Sequence, residues 1–158
     1  RHTLFPYTTL FRSVFTRPTC ADVARFIGIG NIFSGRIVRN EEGLSVILAQ
    51  GVEIYALCDL PKGRDVTVAI RPEEITIHKD QDRGSSARNN ISGIIQEIRP
   101  SGIISFIMVQ AGNLVLSAQV TMRSIKELDL IPGGEVVLSF KASSVHIMPQ
   151  HDGEDICS

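Results

Sequence analysis

The feature of this sequence that most constrains its fold is an internal repeat, in which three short segments recur in the same order. The paired segments are Asn31-Ile-Phe-Ser-Gly35 with Asn89-Asn-Ile-Ser-Gly93, Leu60-Pro-Lys-Gly-Arg-Asp-Val66 with Leu130-Ile-Pro-Gly-Gly-Glu-Val136, and Arg71-Pro-Glu-Glu-Ile-Thr-Ile77 with Lys141-Ala-Ser-Ser-Val-His-Ile147. The offset grows from 58 residues (Gly35 to Gly93) to 70 (Val66 to Val136), so the second copy carries an insertion. A repeat of about sixty residues indicates tandem domains that arose by duplication.

Each copy is predicted to be a small β-barrel, because short segments rich in Val and Ile alternate with turn residues such as Glu42-Gly43 and Gln50-Gly51. Thr121 is a candidate N-cap for a short helix within the insertion, at 121–128. We therefore expect an all-β fold of two tandem OB-like barrels, with a short N-terminal connecting helix and a short helix in the second barrel. The predicted strands are Ile32–Val38, Leu44–Leu48, Glu53–Leu57, Asp65–Ile70, Glu74–His78, Ile91–Ile98, Ile103–Gln110, Leu114–Val120, Glu135–Phe140 and Ser144–Met148.

The barrels account for most of the chain, and the remaining residues are predicted to be a leader, a connecting segment, a linker and a tail. Residues 1–13 lack the apolar core and cleavage site of a signal peptide, and they resemble translated adapter sequence of non-native origin. Pro18–Ile27 has the spacing of a short helix. The predicted organisation is a leader at 1–13, a connecting helix and linker from a missing domain at 14–30, the first barrel at 31–78, a polar linker at 79–86, the second barrel at 87–148 and a tail at 149–158.

Composition and motifs exclude several classes of function. The net charge of −1, the absence of Trp and the 6% aromatic content argue against a nucleic-acid partner. Three Cys without CxxC spacing give neither a metal site nor a disulfide framework, and they favour a reducing compartment. The sequence contains no P-loop and no HExxH motif, so we assign no catalytic residues and expect no enzymatic activity. His78 and His146 are predicted to lie at matching strand positions of the two copies.

Two polar tracts stand out against the strands: 85–91 and Lys141-Ala-Ser-Ser144. Each carries one cation and small hydroxyl side chains, which is the lining that a compact dianion requires. From the residues alone, a capped and buried polar turn is the favoured interpretation.

These tracts resemble a known family. Ser86-Ala-Arg-Asn89, Thr121-Met-Arg-Ser124 and Lys141-Ala-Ser-Ser-Val145 resemble the signature of the Mop (molbindin) domain, which binds molybdate or tungstate. Val23-Ala-Arg-Phe-Ile-Gly28 resembles the segment after the nucleotide-binding domain of ABC importer ATPases, and Val68-Ala-Ile-Arg-Pro-Glu-Glu74 resembles their TOBE domain. The overall resemblance is to the C-terminal regulatory region of the ATP-binding subunit of a molybdate/tungstate importer.

The resemblance implies an oxyanion site between second barrels of two subunits. Lys141 would supply positive charge, while hydroxyl and backbone N–H groups would donate hydrogen bonds. Arg88 would either contact the anion or brace the loop. Molybdate, tungstate and sulfate are all tetrahedral dianions, so the sequence does not separate them. The implied binding residues are Ser86, Ala87, Arg88, Asn89, Thr121, Ser124, Lys141, Ala142 and Ser143.

The resemblance also implies a function and partners. Oxyanion bound by a homodimer would inhibit transport, in a cytoplasmic subunit at the inner face of the plasma membrane. The partners would be an ATPase domain and a membrane permease, with no covalently bound cofactor and no metal. Two alternatives stay open: a free-standing molybdate/tungstate storage protein, and the effector domain of an oxyanion-responsive transcription regulator.

Overall fold

A computed structural model describes residues 31–80 and 86–150. The predicted leader, the connecting helix and most of the tail lie outside the described residues, as do residues 81–85 of the linker. The described residues form ten strands, one α-helix and two 3₁₀ helices. The strands are β1 (Asn31–Glu41), β2 (Leu44–Ala49), β3 (Val52–Leu57), β4 (Asp65–Ile70), β5 (Thr76–His78), β6 (Asn89–Ser101), β7 (Ile104–Ala111), β8 (Leu114–Thr121), β9 (Glu135–Phe140) and β10 (Val145–Pro149); the helices are α1 (Met122–Leu128) and the 3₁₀ helices Pro72–Glu74 and Ala142–Ser144.

The strands pair into two five-stranded sheets in the order β10-β4-β1-β2-β3 and β5-β9-β6-β7-β8. Every pairing is antiparallel, and the sheets curl into half-barrels. The all-β prediction is therefore confirmed.

Each sheet takes its fifth strand from the other half of the chain. Strand β5 pairs with β9, with Ile77 opposite Leu138, and β10 pairs with β4, with Ile147 opposite Val68. The boundaries predicted at 31–78 and 87–148 do not anticipate this exchange. Strands β4 and β9 have similar apolar sequences, so the pattern alone does not reveal which half each last strand joins.

The registers show that the two halves are copies. A β-bulge interrupts β1 between Ile37 and Arg39, and another interrupts β6 between Ile95 and Glu97. Beside these bulges, the Gly63 N–H donates to the Ile37 carbonyl oxygen at 2.7 Å, and the Gly133 N–H donates to that of Ile95 at 2.7 Å. Equivalent hydrogen bonds at equivalent bulges confirm the repeat.

The two histidines are not equivalent, contrary to the sequence prediction. In the exchanged strands, His146 lies opposite Ala69, and the residue at the same register position in the other half is Thr76, opposite Ser139. His78 lies two residues further along β5, opposite Val137.

Helix α1 occupies the insertion of the second copy, as predicted. The Thr121 Oγ1 accepts a hydrogen bond from the Ser124 N–H at 3.1 Å and so caps the first turn. Asp129 ends the helix with a φ of 54°, and its N–H donates back to the Ile125 and Lys126 carbonyls. Within the described residues, no helix is long and apolar enough to cross a membrane.

Buried side chains from both halves form one contiguous core, which includes Ile37 and Ile54 from the first half and Ile107 and Leu116 from the second. Because the core spans both halves, burial of apolar surface stabilises their mutual packing as well as each sheet.

Candidate functional site

Two asparagines tie each half to an edge strand of the other half. The Asn89 Oδ1 accepts a hydrogen bond from the Tyr55 N–H at 2.7 Å, and its Nδ2 donates to the Tyr55 carbonyl oxygen at 2.9 Å. Asn31, the equivalent residue in the first half, makes the same pair of contacts with Ser117. Asn89 is only 2% exposed. Its carboxamide is therefore engaged with the backbone of β3, and it does not line the cavity described next.

A surface cavity of ≈ 480 Å³ contains the greater part of the predicted site. Its position brings the two polar tracts together within a single chain, although about fifty residues separate them. The lining residues are Ser86, Arg88, Lys141, Ala142 and Ser143, all predicted from the sequence, together with Glu41, Glu42, Leu44 and Leu57 of the first half.

Strand β3 positions both tracts. The Asn89–Tyr55 contact holds the start of β6, and therefore the preceding Arg88, beside this strand. The second 3₁₀ helix, Ala142–Ser144, packs against β3 as well. It is closed by the Ser144 N–H, which donates to the Lys141 carbonyl oxygen at 3.0 Å.

The cavity is lined by two cations and two carboxylates. Glu41 lies 3.7 Å from the guanidinium of Arg39, which also pairs with Glu53 at 3.3 Å. Among the described residues, Arg88, Lys141 and Glu42 take part in none of the ion pairs within 4.0 Å. Both cations are exposed, so their charges are available to an anion that enters the cavity.

Ala87 lies in a neighbouring cavity of ≈ 340 Å³, which also contains Glu74, His78, Ser144 and Lys141. Lys141 therefore borders both cavities. Burial of Ala142 and Ser144 fixes the backbone beside Lys141, while the lysine side chain stays exposed.

Thr121 and Ser124 lie outside both cavities. Their hydroxyl groups lie 3.1 Å apart at the start of α1, where they cap the helix. The cap expected from the residues alone accounts for this pair, and the structure does not bring it to the predicted anion site. In the part of the chain that the structure describes, no group of three or more His, Cys, Asp or Glu side chains could hold a metal ion.

Comparison with known families gives one match in the second half of the chain. Residues 85–147 match the model of the TOBE domain. Most of the chain also resembles the molybdate/tungstate import ATP-binding protein WtpC from two species. It is 37% identical over 141 residues to that of Pyrococcus horikoshii, covering 87% of this chain and 38% of the relative, and 31% identical over 136 residues to that of Pyrococcus abyssi, covering 86% and 37%. The chain thus spans little more than a third of the length of these relatives.

A solved structure has the same fold. It is the cytoplasmic molybdate-binding protein ModG, crystallised with molybdate bound, and it matches with a TM-score of 0.68 at 23% identity. The match covers 74% of this chain and 94% of that one. The arrangement of the two half-barrels is therefore shared with ModG.

The sequence analysis did not identify the residues of the first half that line the cavity. Glu41, Glu42, Leu44 and Leu57 lie in or beside the hairpin strands of the first half. No motif distinguishes these four residues, because Glu42-Gly43 predicts only a turn and the two leucines predict only strand positions. Their contribution depends on how the halves pack, and no local pattern encodes that packing.

Proposed function

We propose that this chain is the regulatory oxyanion-binding module of an ABC importer's ATP-binding subunit, with molybdate or tungstate as its ligand. The observation that carries the proposal is the cavity in which Ser86, Arg88, Lys141 and Ser143 meet. The names of the relatives and of the solved structure support the choice of ligand and of transporter.

The chemistry of the lining supports a tetrahedral dianion. Such an ion offers only hydrogen-bond acceptors, and Arg88 and Lys141 offer only donors together with positive charge. The Ser86 and Ser143 hydroxyls add donors that rotate to suit the ligand. Because the cavity is open to solvent, the ion can enter and leave without unfolding of the chain.

Inhibition of transport follows if the ligand prefers one arrangement of the subunits. A ligand shifts such an equilibrium only by its differential affinity for the two states. The tracts already meet within one chain, so a second copy is not needed to bring them together. Leu57 lines the cavity and is 60% exposed, and we propose that a second copy covers this side chain in a homodimer.

The proposal includes the setting of the intact protein. Its partners are an ATPase domain on the same polypeptide and a membrane permease, and the subunit acts in the cytoplasm at the inner face of the membrane. The chain itself contains no P-loop and is proposed to hydrolyse no ATP.

Titration calorimetry with molybdate, tungstate and sulfate tests the proposal, with sedimentation in the presence and absence of tungstate. We expect saturable binding of molybdate or tungstate and a shift towards dimer when ligand is bound. Absence of binding for both ions would refute the oxyanion function. Full affinity in a strict monomer would refute the dimer, while leaving the oxyanion site in place.

A further inference from the structure

The β1–β2 hairpin places a carboxylate in the proposed anion site. Glu42 occupies the hairpin turn with a φ of 49°, followed by Gly43 with a φ of 81°. Positive φ at both central residues fits a two-residue hairpin whose twist matches its strands. The turn lies at the cavity, so Glu42 lines the same space as Arg88 and Lys141.

We propose that Glu42 limits the affinity of this site for oxyanions, an inference that rests on the proposed function. The four ionisable side chains lining the cavity carry a formal net charge of zero, since Arg88 and Lys141 are balanced by Glu41 and Glu42. A dianion is attracted by the first pair and repelled by the second. The site therefore binds more weakly than its two cations alone would allow.

The two carboxylates do not contribute equally. Glu41 lies 3.7 Å from Arg39, which offsets part of its charge. Glu42 takes part in no ion pair within 4.0 Å among residues 31–80 and 86–150. The negative charge of Glu42 is thus not offset by an ion pair with any described residue, and it repels a bound oxyanion.

The consequence is a site that fills only when the oxyanion accumulates. A module that inhibits import should stay empty at low ligand concentration and respond as the ion builds up in the cytoplasm. Repulsion from Glu42 raises the concentration at which the site is half filled, and it leaves the hydrogen-bond donors that recognise the ion unchanged.

The test is the variant Glu42→Gln, which removes the charge and keeps the shape. The backbone tolerates glutamine in this conformation, because Gln50 has the same φ of 49° in the next hairpin, before Gly51. The control is Glu73→Gln, which removes one negative charge from an exposed residue in the first 3₁₀ helix that does not line the cavity. Calorimetry with tungstate is run on both variants and on the unmodified chain.

We expect Glu42→Gln to bind tungstate about threefold to tenfold more tightly, since an exposed charge facing a dianion contributes on the scale of surface ion pairs. Glu73→Gln should bind as the unmodified chain does. The difference between Glu42→Gln and the unmodified chain should shrink as salt is added, because salt screens exposed charges.

Two kinds of failure are distinguishable. If the unmodified chain binds tungstate and Glu42→Gln binds with equal or lower affinity, the role of Glu42 is overturned and the proposed function stands. If neither the unmodified chain nor either variant binds tungstate or molybdate, the proposed function fails, and the role of Glu42 fails with it.

Discussion

The Asn31 carboxamide forms two hydrogen bonds with the backbone of Ser117, its Oδ1 accepting from the N–H at 2.7 Å and its Nδ2 donating to the carbonyl oxygen at 2.9 Å. Asn31 begins β1, and Ser117 lies in β8 at the edge of the other sheet. The contact gives buried backbone groups of an edge strand the partners that a neighbouring strand would otherwise supply. Asn89 makes the same pair of hydrogen bonds with the backbone of Tyr55, so the same kind of contact joins the two halves at two places.

We expect Asn31→Ala to lower the free energy of unfolding by about 2–4 kcal/mol, because it removes three buried hydrogen bonds, two with Ser117 and one to the Ile70 carbonyl oxygen, and leaves the Ser117 N–H and carbonyl without these partners. Urea denaturation measures the change. Asn113→Ala is the control, since Asn113 is exposed in a turn and should change stability by less than about 0.5 kcal/mol. Equal effects of the two substitutions would contradict a structural role for Asn31.

The repeated glycines Gly35 and Gly93 should differ in their tolerance of a methyl group. A Cβ on Gly93 would lie 2.6 Å from Val109 Cγ1 and 2.7 Å from the Gln110 carbonyl oxygen. On Gly35 the nearest atom is a side-chain methyl, Ile47 Cγ2 at 2.5 Å, and the nearest backbone oxygen lies at 3.2 Å. A side chain can rotate away, whereas a backbone oxygen within a sheet cannot move without disturbing the strand pairing.

Gly93→Ala is therefore expected to destabilise the protein by about 1–3 kcal/mol, and Gly35→Ala by less. Thermal unfolding of the two variants provides the comparison, each serving as the other's control. The reverse order would show that the packing around Gly35 is the more rigid of the two.

The sequence predicted the parts of this fold that depend on local pattern. The repeat from Asn31 to Ile147, the turns at Glu42-Gly43 and Gln50-Gly51, and the cap at Thr121 all follow from neighbouring residues, and the structure confirms them. The strand exchange did not follow, because pairing between distant strands of similar apolar sequence leaves no local signal.

The candidate site likewise contains some residues that the sequence identifies and others that it does not. Ser86, Arg88 and Lys141 were found through their resemblance to a family signature, and the structure brings them into one cavity. Asn89 belongs to the same signature, yet its carboxamide is hydrogen-bonded to the backbone of Tyr55 in β3. An asparagine can bind an anion or form structural hydrogen bonds, so only the three-dimensional contacts show which of the two Asn89 does. Glu42 could not be found, since it is distant in sequence from every residue of the tracts.

The exchange of β5 and β10 predicts that the halves stay together after the chain is cut between them. A protease site placed within residues 81–85 allows the cut, and size-exclusion chromatography then follows the products. We expect co-elution under native conditions and separation in urea, because each sheet contains a strand from the other half. Two separately eluting folded halves without urea would show that the exchanged strands are dispensable.

His146 should make stability depend on pH. Burial lowers the pKa of this half-buried imidazole below its usual 6.5, and Arg71 lowers the pKa further, while Glu74 opposes the shift. The folded protein therefore binds a proton less readily than the unfolded chain does. The free energy of unfolding is therefore unaffected by this group above pH 6.5, and it decreases as the pH falls from 6.5 towards the lowered pKa of His146 in the folded state.

Urea midpoints measured across this pH range on the unmodified protein and on His146→Gln test the point. The unmodified protein should lose more stability than the variant as the pH falls. Parallel pH profiles would mean that the imidazole titrates alike in the folded and unfolded states.

Lys141 borders both cavities and is a flexible cation among small hydrogen-bond donors. We expect Lys141→Ala to weaken tungstate binding by about 1.5 kcal/mol or more, which is more than tenfold in Kd, because it removes a charged hydrogen bond. Lys62→Ala, in an exposed turn of the first half, is the matched control and should bind as the unmodified chain does. Calorimetry of the three proteins measures the affinity for tungstate. An unchanged affinity in Lys141→Ala would show that this lysine does not bind the ion, which would leave Arg88 as the cation of the site.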